Sequence, residues 1–248
     1  MIDRVKALLF PPKCAACGVL LDWYDTPDRV NALCTSCKKQ WKSEKLETCG
    51  ACAKPITVCS CMPEALRKSK CLGFRKLAYY LHGRRDPVQN RIVFHLKEKR
   101  DHRATRFLAA ELLGALEDAV KASGVAREEI LLTWIPRTAA AKSKYGTDQA
   151  EELVKALSRR SGIACRRLIG RKWGSFRQQK GLSVEARIKN ARSAFRVVRM
   201  RKSCPHAVFL VDDVITTGAS AAACVRLLRD VGVEKVYCFA ITTNDANR

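Results

Sequence analysis

Residues 207–220 read A-V-F-L-V-D-D-V-I-T-T-G-A-S. From Ala207 to Val211 the run is apolar without alternation, the pattern of a central strand covered on both faces in a parallel sheet. Asp212 and Asp213 follow at its carboxyl end, the edge at which open α/β sheets receive ligands. Thr216, Thr217, Gly218, Ala219 and Ser220 then bring only small side chains, so that several backbone N–H groups can converge on one anion where the next helix begins. That helix is predicted by Ala221, Cys224, Val225 and Leu228, which recur at helical spacing up to Gly232. Paired carboxylates at such a place suit ribose hydroxyls or the waters of a Mg²⁺ ion. The implied ligand is an anionic sugar phosphate.

Working outward, strands alternate with helices. Gly73 to His82 reads as a strand with a turn at Gly83 to Pro87, and Ile130 to Ile135 as a second buried strand ending at Pro136. Gln89 to Lys97, Ala104 to Lys121 and Thr147 to Arg160 carry helical periodicity, the last with Ala150, Leu153, Val154 and Leu157 on one face. An apolar strand from Lys235 to Thr242 closes the pattern. This order predicts an α/β fold, a parallel sheet with helices on both faces. No G-x-x-x-x-G-K-[ST] occurs, which removes a P-loop nucleoside triphosphatase from consideration.

The amino-terminal part differs in kind. Eight of thirteen cysteines form close pairs: Cys14 and Cys17, Cys34 and Cys37, Cys49 and Cys52, Cys59 and Cys61. A C-x-x-C turn sets two thiolates on one side of a knuckle, and two knuckles complete a tetrahedral shell for Zn²⁺. Sequential pairing predicts two structural zinc ions; an interleaved pairing or a single filled site are the other arrangements. Cys71, Cys165, Cys204, Cys224 and Cys238 lack partners at ligand spacing and are expected in the core. The boundaries that follow are a cysteine-rich, zinc-ribbon-like module over residues 1–70 and an α/β domain over residues 71–248.

Charge points to a polyanion. Lys and Arg outnumber Asp and Glu by 47 to 24. Between Lys155 and Lys202 there are sixteen basic residues against the single acid Glu185, with Trp173, Phe176 and Phe195 interleaved. A solvated helix face mixes signs, so this stretch is read as an anion-binding surface. The start, M-I-D-R-V-K-A-L-L-F-P-P, has too short an apolar run for a signal peptide, and nowhere do 18 apolar residues run together. A cytoplasmic protein with no membrane insertion and reduced cysteines is expected.

Two acids followed by T-T-G-x-[ST] after an apolar strand resemble the 5-phosphoribosyl-1-pyrophosphate (PRPP) signature of type I phosphoribosyltransferases. With the cysteine module in front, nearly the whole chain resembles the ComF family of bacterial competence-associated proteins. In that family a proline after a central strand precedes R-G-F-N-Q; here Pro136 leads to Tyr145, Gly146, Thr147, Asp148 and Gln149, which differs at three of five places. Gln179, Leu182, Arg187, Asn190, Ala194 and Phe195 match a further family pattern in spacing.

The resemblance implies a type I phosphoribosyltransferase-like fold in which Asp212 and Asp213 hold ribose hydroxyls and Thr216 to Ser220 cradle the 5-phosphate. Arg137, after Pro136, would meet the pyrophosphate, with Mg²⁺ accompanying PRPP. The stretch from Arg171 to Asn190 would lie where those enzymes carry a loop over the ligand. Tyr145 and Asp148 replace an arginine and an asparagine, which favours weaker PRPP binding or a less anionic ligand. The family further implies single-stranded DNA and a partner helicase in natural transformation, with Arg171, Lys172, Arg177 and Lys180 on phosphates and Trp173 or Phe176 stacked on bases. Two other functions share the ligand site: phosphoribosyl transfer to a nitrogen base, and PRPP sensing without chemistry. Transfer needs an acceptor site, which the few residues after Thr242 do not supply, so the module or Gly73 to Lys97 would have to form it.

Overall fold

The computed structural model describes residues 11–21, 31–81, 87–98, 102–172, 194–198 and 204–244. The centre is a parallel four-stranded sheet built from β1 (Gly73–Tyr79), β2 (Ile130–Trp134), β5 (Ala207–Ile215) and β6 (Lys235–Thr243), in the order β1-β6-β5-β2. An antiparallel pair, β3 (Ile169–Arg171) and β4 (Phe195–Val197), stands beside it. The side chains of β5 alternate between two apolar clusters, because successive residues of a strand point to opposite faces. Phe209 and Val211 pack with α3 (Val88–Glu98), α4 (His102–Ser123) and α6 (Gln149–Ser161). Val208 and Leu210 pack with α7 (Ala219–Asp230), α2 (Glu64–Arg67) and the β3–β4 pair. Both faces are thus covered, which is why the strand sequence shows no alternation of polar and apolar residues.

Helix α6 shows how local chemistry sets an element. Glu151 and Glu152 stand in its first turn and Arg159 and Arg160 in its last, signs that complement the helix dipole, and Gly162 ends it in the left-handed region at φ 72°. The sequence reading ended the central strand at Val211, whereas β5 continues to Ile215. Its neighbours explain the difference. Strand β2 ends at Trp134 opposite Val211, but the ladder with β6 persists through Asp212↔Ala240, Val214↔Thr242 and Ile215↔Thr243. Asp212 and Asp213 therefore sit where β5 outlasts one neighbour. The short helix α5 (Ala139–Tyr145) and the β3–β4 pair have no counterpart in the periodicity reading.

The apolar core crosses the expected boundary at residue 70. Cys14, Ala15, Leu33 and Trp41 belong to the same cluster as Leu77, Ile92 and Leu112. Trp41, on α1 (Thr35–Lys45), is buried, meets the Phe107 ring edge-on at 5.8 Å and donates its indole N–H to Glu111 at 2.7 Å. Lys45 pairs with the same carboxylate, and Gln89 donates to Glu44 at 2.7 Å. Among the described residues, no helix is long and apolar enough to cross a membrane.

Candidate metal and ligand sites

The eight paired cysteines assemble in sequential fashion. Cys14, Cys17, Cys34 and Cys37 form one set and Cys49, Cys52, Cys59 and Cys61 the other, with the sulfurs of each set within 4.8 Å of one another. Sγ atoms of Cys17 and Cys34 lie 3.7 Å apart, and those of Cys52 and Cys59 3.5 Å. A tetrahedron of thiolates about 2.3 Å from a zinc ion has edges of roughly 3.8 Å, so both sets have the dimensions of a closed four-thiolate metal site. Each knuckle closes on its own backbone: Gly18 N–H donates to the Cys14 carbonyl and Ala53 N–H to that of Cys49. Cys34 caps α1, which presents Cys37 in its first turn. The C-x-C pair works because Cys61 N–H reaches the Cys59 sulfur at 3.3 Å.

Electrostatics within each set fit a cation. Burial pushes the Cys14 thiol up, but backbone N–H groups of Cys34, Cys17 and Ala16 outweigh it and bring it to about 7. Burial likewise opposes ionisation of Cys49, while the Tyr79 hydroxyl and the Ala51 N–H pull it to about 6. In the same sets burial and neighbouring sulfurs push Cys37 up, and Cys61 up to about 12. Four thiols at such separations cannot all ionise unless a cation offsets their repulsion. Lys76 of β1 adds a charge that sequence reading missed. Although buried, its Nζ stands 3.2 Å from Cys59 Sγ and 2.5 Å from the Cys61 carbonyl oxygen. A lysine inside a strand reads as solvent-facing until the module is placed against it.

The acid pair divides its roles. Asp213 is buried and bonded to Arg137, Nη2 to Oδ2 at 2.6 Å. Asp212 keeps partial contact with solvent, yet burial of its carboxyl, and then the charge of Asp213, push it well above the usual carboxylate range. Asp212 also opens into a pocket of about 120 Å³ whose other walls are residues 214–221. Thr216, Thr217, Gly218, Ala219 and Ser220 are therefore brought together around one cavity, at the amino end of α7. Gly218 is required there: its φ of 73° lies in the left-handed region, and an added Cβ would come within 3.1 Å of Pro63 Cβ and 3.3 Å of Leu66 Cβ. Residues following the second cysteine set thus form the back wall of the turn.

The other proposed residues distribute as follows. Arg171 turns toward the sheet: its Nε donates to the Pro136 carbonyl at 3.0 Å and its guanidinium lies 4.7 Å from the Phe195 ring centre. Burial lowers its proton affinity, and Asp212 is among the anions that act on it. Lys172 is exposed. Trp173, Phe176, Arg177 and Lys180 lie outside the described residues. Asp148, which replaces an asparagine of the family pattern, does not present an unmatched charge. Its side chain is buried, pairs with Lys142 at 3.0 Å and accepts the Arg137 N–H at 3.1 Å.

Comparison with known proteins adds a relative. The chain is 27% identical over 217 residues to Competence protein F of Haemophilus influenzae (strain KW20 / Rd), covering 85% of this chain and 90% of that protein. No family model matches the chain. Similar solved structures include the allosteric regulatory enzyme of purine biosynthesis (18% identity, 55% of this chain and 25% of that one, TM-score 0.34). Hypoxanthine phosphoribosyltransferases of Trypanosoma cruzi (14%, 55% and 63%, TM-score 0.34) and Staphylococcus aureus (13%, 60% and 69%, TM-score 0.32) are also similar. The chain spans less than two thirds of the first two of these structures. Two four-cysteine sets ahead of a parallel α/β sheet, and an acid pair running into T-T-G-A-S on an inner strand of that sheet, thus accompany a similarity to Competence protein F along most of both chains.

Proposed function

We propose that this chain is a DNA-uptake protein that binds PRPP or another 5-phosphorylated ribose, with Mg²⁺, at the Thr216–Ser220 turn, and single-stranded DNA on its basic surface. The observation that carries the ligand reading is the shared pocket of Asp212 and the turn at the amino end of α7. Backbone N–H groups there can take a phosphate, and the positive end of the helix dipole favours its charge. Because Arg137 already neutralises Asp213, Asp212 is the acid left to meet ribose hydroxyls or the waters of Mg²⁺. When bound, Mg²⁺ offsets the negative charge of the diphosphate. Arg137 and Arg171 supply fixed positive charge at the same edge of the sheet.

The name of the Haemophilus relative and the sixteen basic residues from Lys155 to Lys202 support single-stranded DNA as macromolecular partner. Exposed Arg166, Arg167 and Lys172 belong to that stretch. In this reading both cysteine sets hold structural zinc, the protein works in the cytoplasm, and a helicase of the uptake machinery is its protein partner.

Thermal unfolding with ribose 5-phosphate or PRPP and Mg²⁺ tests the ligand site. A folded-state ligand at a hundred times its Kd adds about 2.7 kcal/mol, which raises Tm by several degrees. Asp212→Asn should remove the Mg²⁺-dependent part of that shift while leaving Arg137 and Asp213 paired. An equal shift in the variant would place the ligand elsewhere. Adding a panel of nitrogen bases and following pyrophosphate release separates transfer from binding alone.

A further inference from the structure

We infer that the turn after the second cysteine set holds the Thr216–Ser220 turn in shape, so that metal at Cys49, Cys52, Cys59 and Cys61 sets how ordered the anion cradle is. Its consequence for ligand affinity rests on the reading of that turn as a ribose-phosphate cradle. The connection is short and made of packed atoms throughout. Cys61 is the last thiol of its set, and Pro63, two residues on, caps α2. The Pro63 carbonyl accepts N–H groups of Leu66 and Arg67, both at 3.0 Å. Leu66 is fully buried in the cluster that contains Ala219, Ala221 and Val225 of α7. Pro63 and Leu66 are also the side chains against which the Gly218 backbone is pressed.

Lys76 fixes the same corner from the sheet side. Its ammonium is buried, lies 5.2 Å from the Phe74 ring centre and bonds both the Cys59 sulfur and the Cys61 carbonyl. A buried ammonium needs an anionic partner. Four thiolates around one divalent cation retain negative charge for it; without the cation the four cannot all stay ionised, so the ammonium loses that charge and Cys61 its anchor. Among the described residues the first set has no such route. Its contacts run to α3, where Arg91 reaches Cys37 Sγ at 3.8 Å and His95 Nδ1 lies 2.6 Å from the Ala15 carbonyl oxygen. Coupling between sites is reciprocal, so a ligand in the cradle should slow metal loss from the second set and leave the first unchanged.

Hydrogen exchange of amides 216–220, measured on the full chain alongside zinc content and ribose 5-phosphate affinity, tests this. Cys61→Ser and Leu66→Ala should speed exchange in the turn and weaken ribose 5-phosphate binding about tenfold, Leu66→Ala with both metals retained. Cys17→Ser, in the first set, should lose one metal and leave the turn as in the parent. Leu66→Val, a smaller change, reads the same contact if the alanine variant does not fold. Parental exchange at 216–220 in Cys61→Ser and Leu66→Val would overturn the inference, as would an equal rise in Cys17→Ser. Faster exchange in a protein that never bound ribose 5-phosphate would sustain the support of the turn and remove the ligand reading alone.

Discussion

Asp212 and Asp213 are adjacent in sequence and unlike in chemistry. Asp213 has its counter-charge in Arg137, whereas burial, and then the charge of Asp213, push Asp212 well above the usual carboxylate range. A carboxyl whose folded pKa lies above its unfolded value favours the fold while protonated, and that contribution is lost as pH rises out of the usual carboxylate range through the raised pKa. A divalent cation needs the ionised form, so its binding expels a proton. Stabilisation by Mg²⁺ with ribose 5-phosphate should therefore grow as pH rises through that window. Titration calorimetry in buffers of different ionisation enthalpy reads the released proton directly. Loss of the pH dependence in Asp212→Asn is the expected outcome; an unchanged dependence would assign the proton to another group. Gly218 illustrates the same scale, since its glycine answers both a left-handed backbone and a contact with Pro63 and Leu66.

Among the elements, α1 carries the most consequence for how the molecule unfolds. Trp41 inserts its ring beside Phe107 of α4 and bonds Glu111 on the same helix, so a helix of the cysteine module shares its burial with the α/β unit. Trp41→Ala should cost about 3–5 kcal/mol, as expected for a large aromatic removed from a packed core. Calorimetry should show one transition moved to lower temperature. Two separated transitions, with the upper one at the parental Tm, would mean that the module unfolds independently of the sheet. Strand β5 shows a second effect of neighbours: past the point opposite Trp134 its ladder continues with β6 but not with β2, and Asp212 lies on this one-sided extension, lining the pocket.

At the scale of the whole molecule, the formal charge of +23 dictates strong attraction to any polyanion, so salt dependence by itself does not identify DNA. Affinity for single-stranded DNA should fall with salt, with a log–log slope of about −0.7 per phosphate neutralised. Trp173→Ala should weaken binding by about 1–3 kcal/mol at unchanged slope if the indole stacks on a base, while Lys172→Ala should lower the slope by about one contact. Fluorescence anisotropy across a salt series measures both. Heparin competing as well as DNA, with Trp173→Ala behaving as the parent, would reduce the basic stretch to a general anion surface.

What could be read without coordinates were features set by short-range spacing. The unbroken apolar run of β5, the small residues from Thr216 to Ser220 and the cysteine knuckles each occupy a few consecutive positions, where period and residue size leave few conformations. Pairing of the knuckles was open at that level, and only packing decided that neighbouring pairs share a set. The same holds for Lys76 against Cys59, for Leu66 beneath Gly218, and for Arg171 folded onto Phe195. Each of these joins residues whose separation along the chain carries no signal, because what brings them together is the burial of two sheet faces and the docking of the module on edge strand β1. Asp148 makes the point most directly: its sequence suggested a charge facing the ligand, and its fold gives that charge to Lys142.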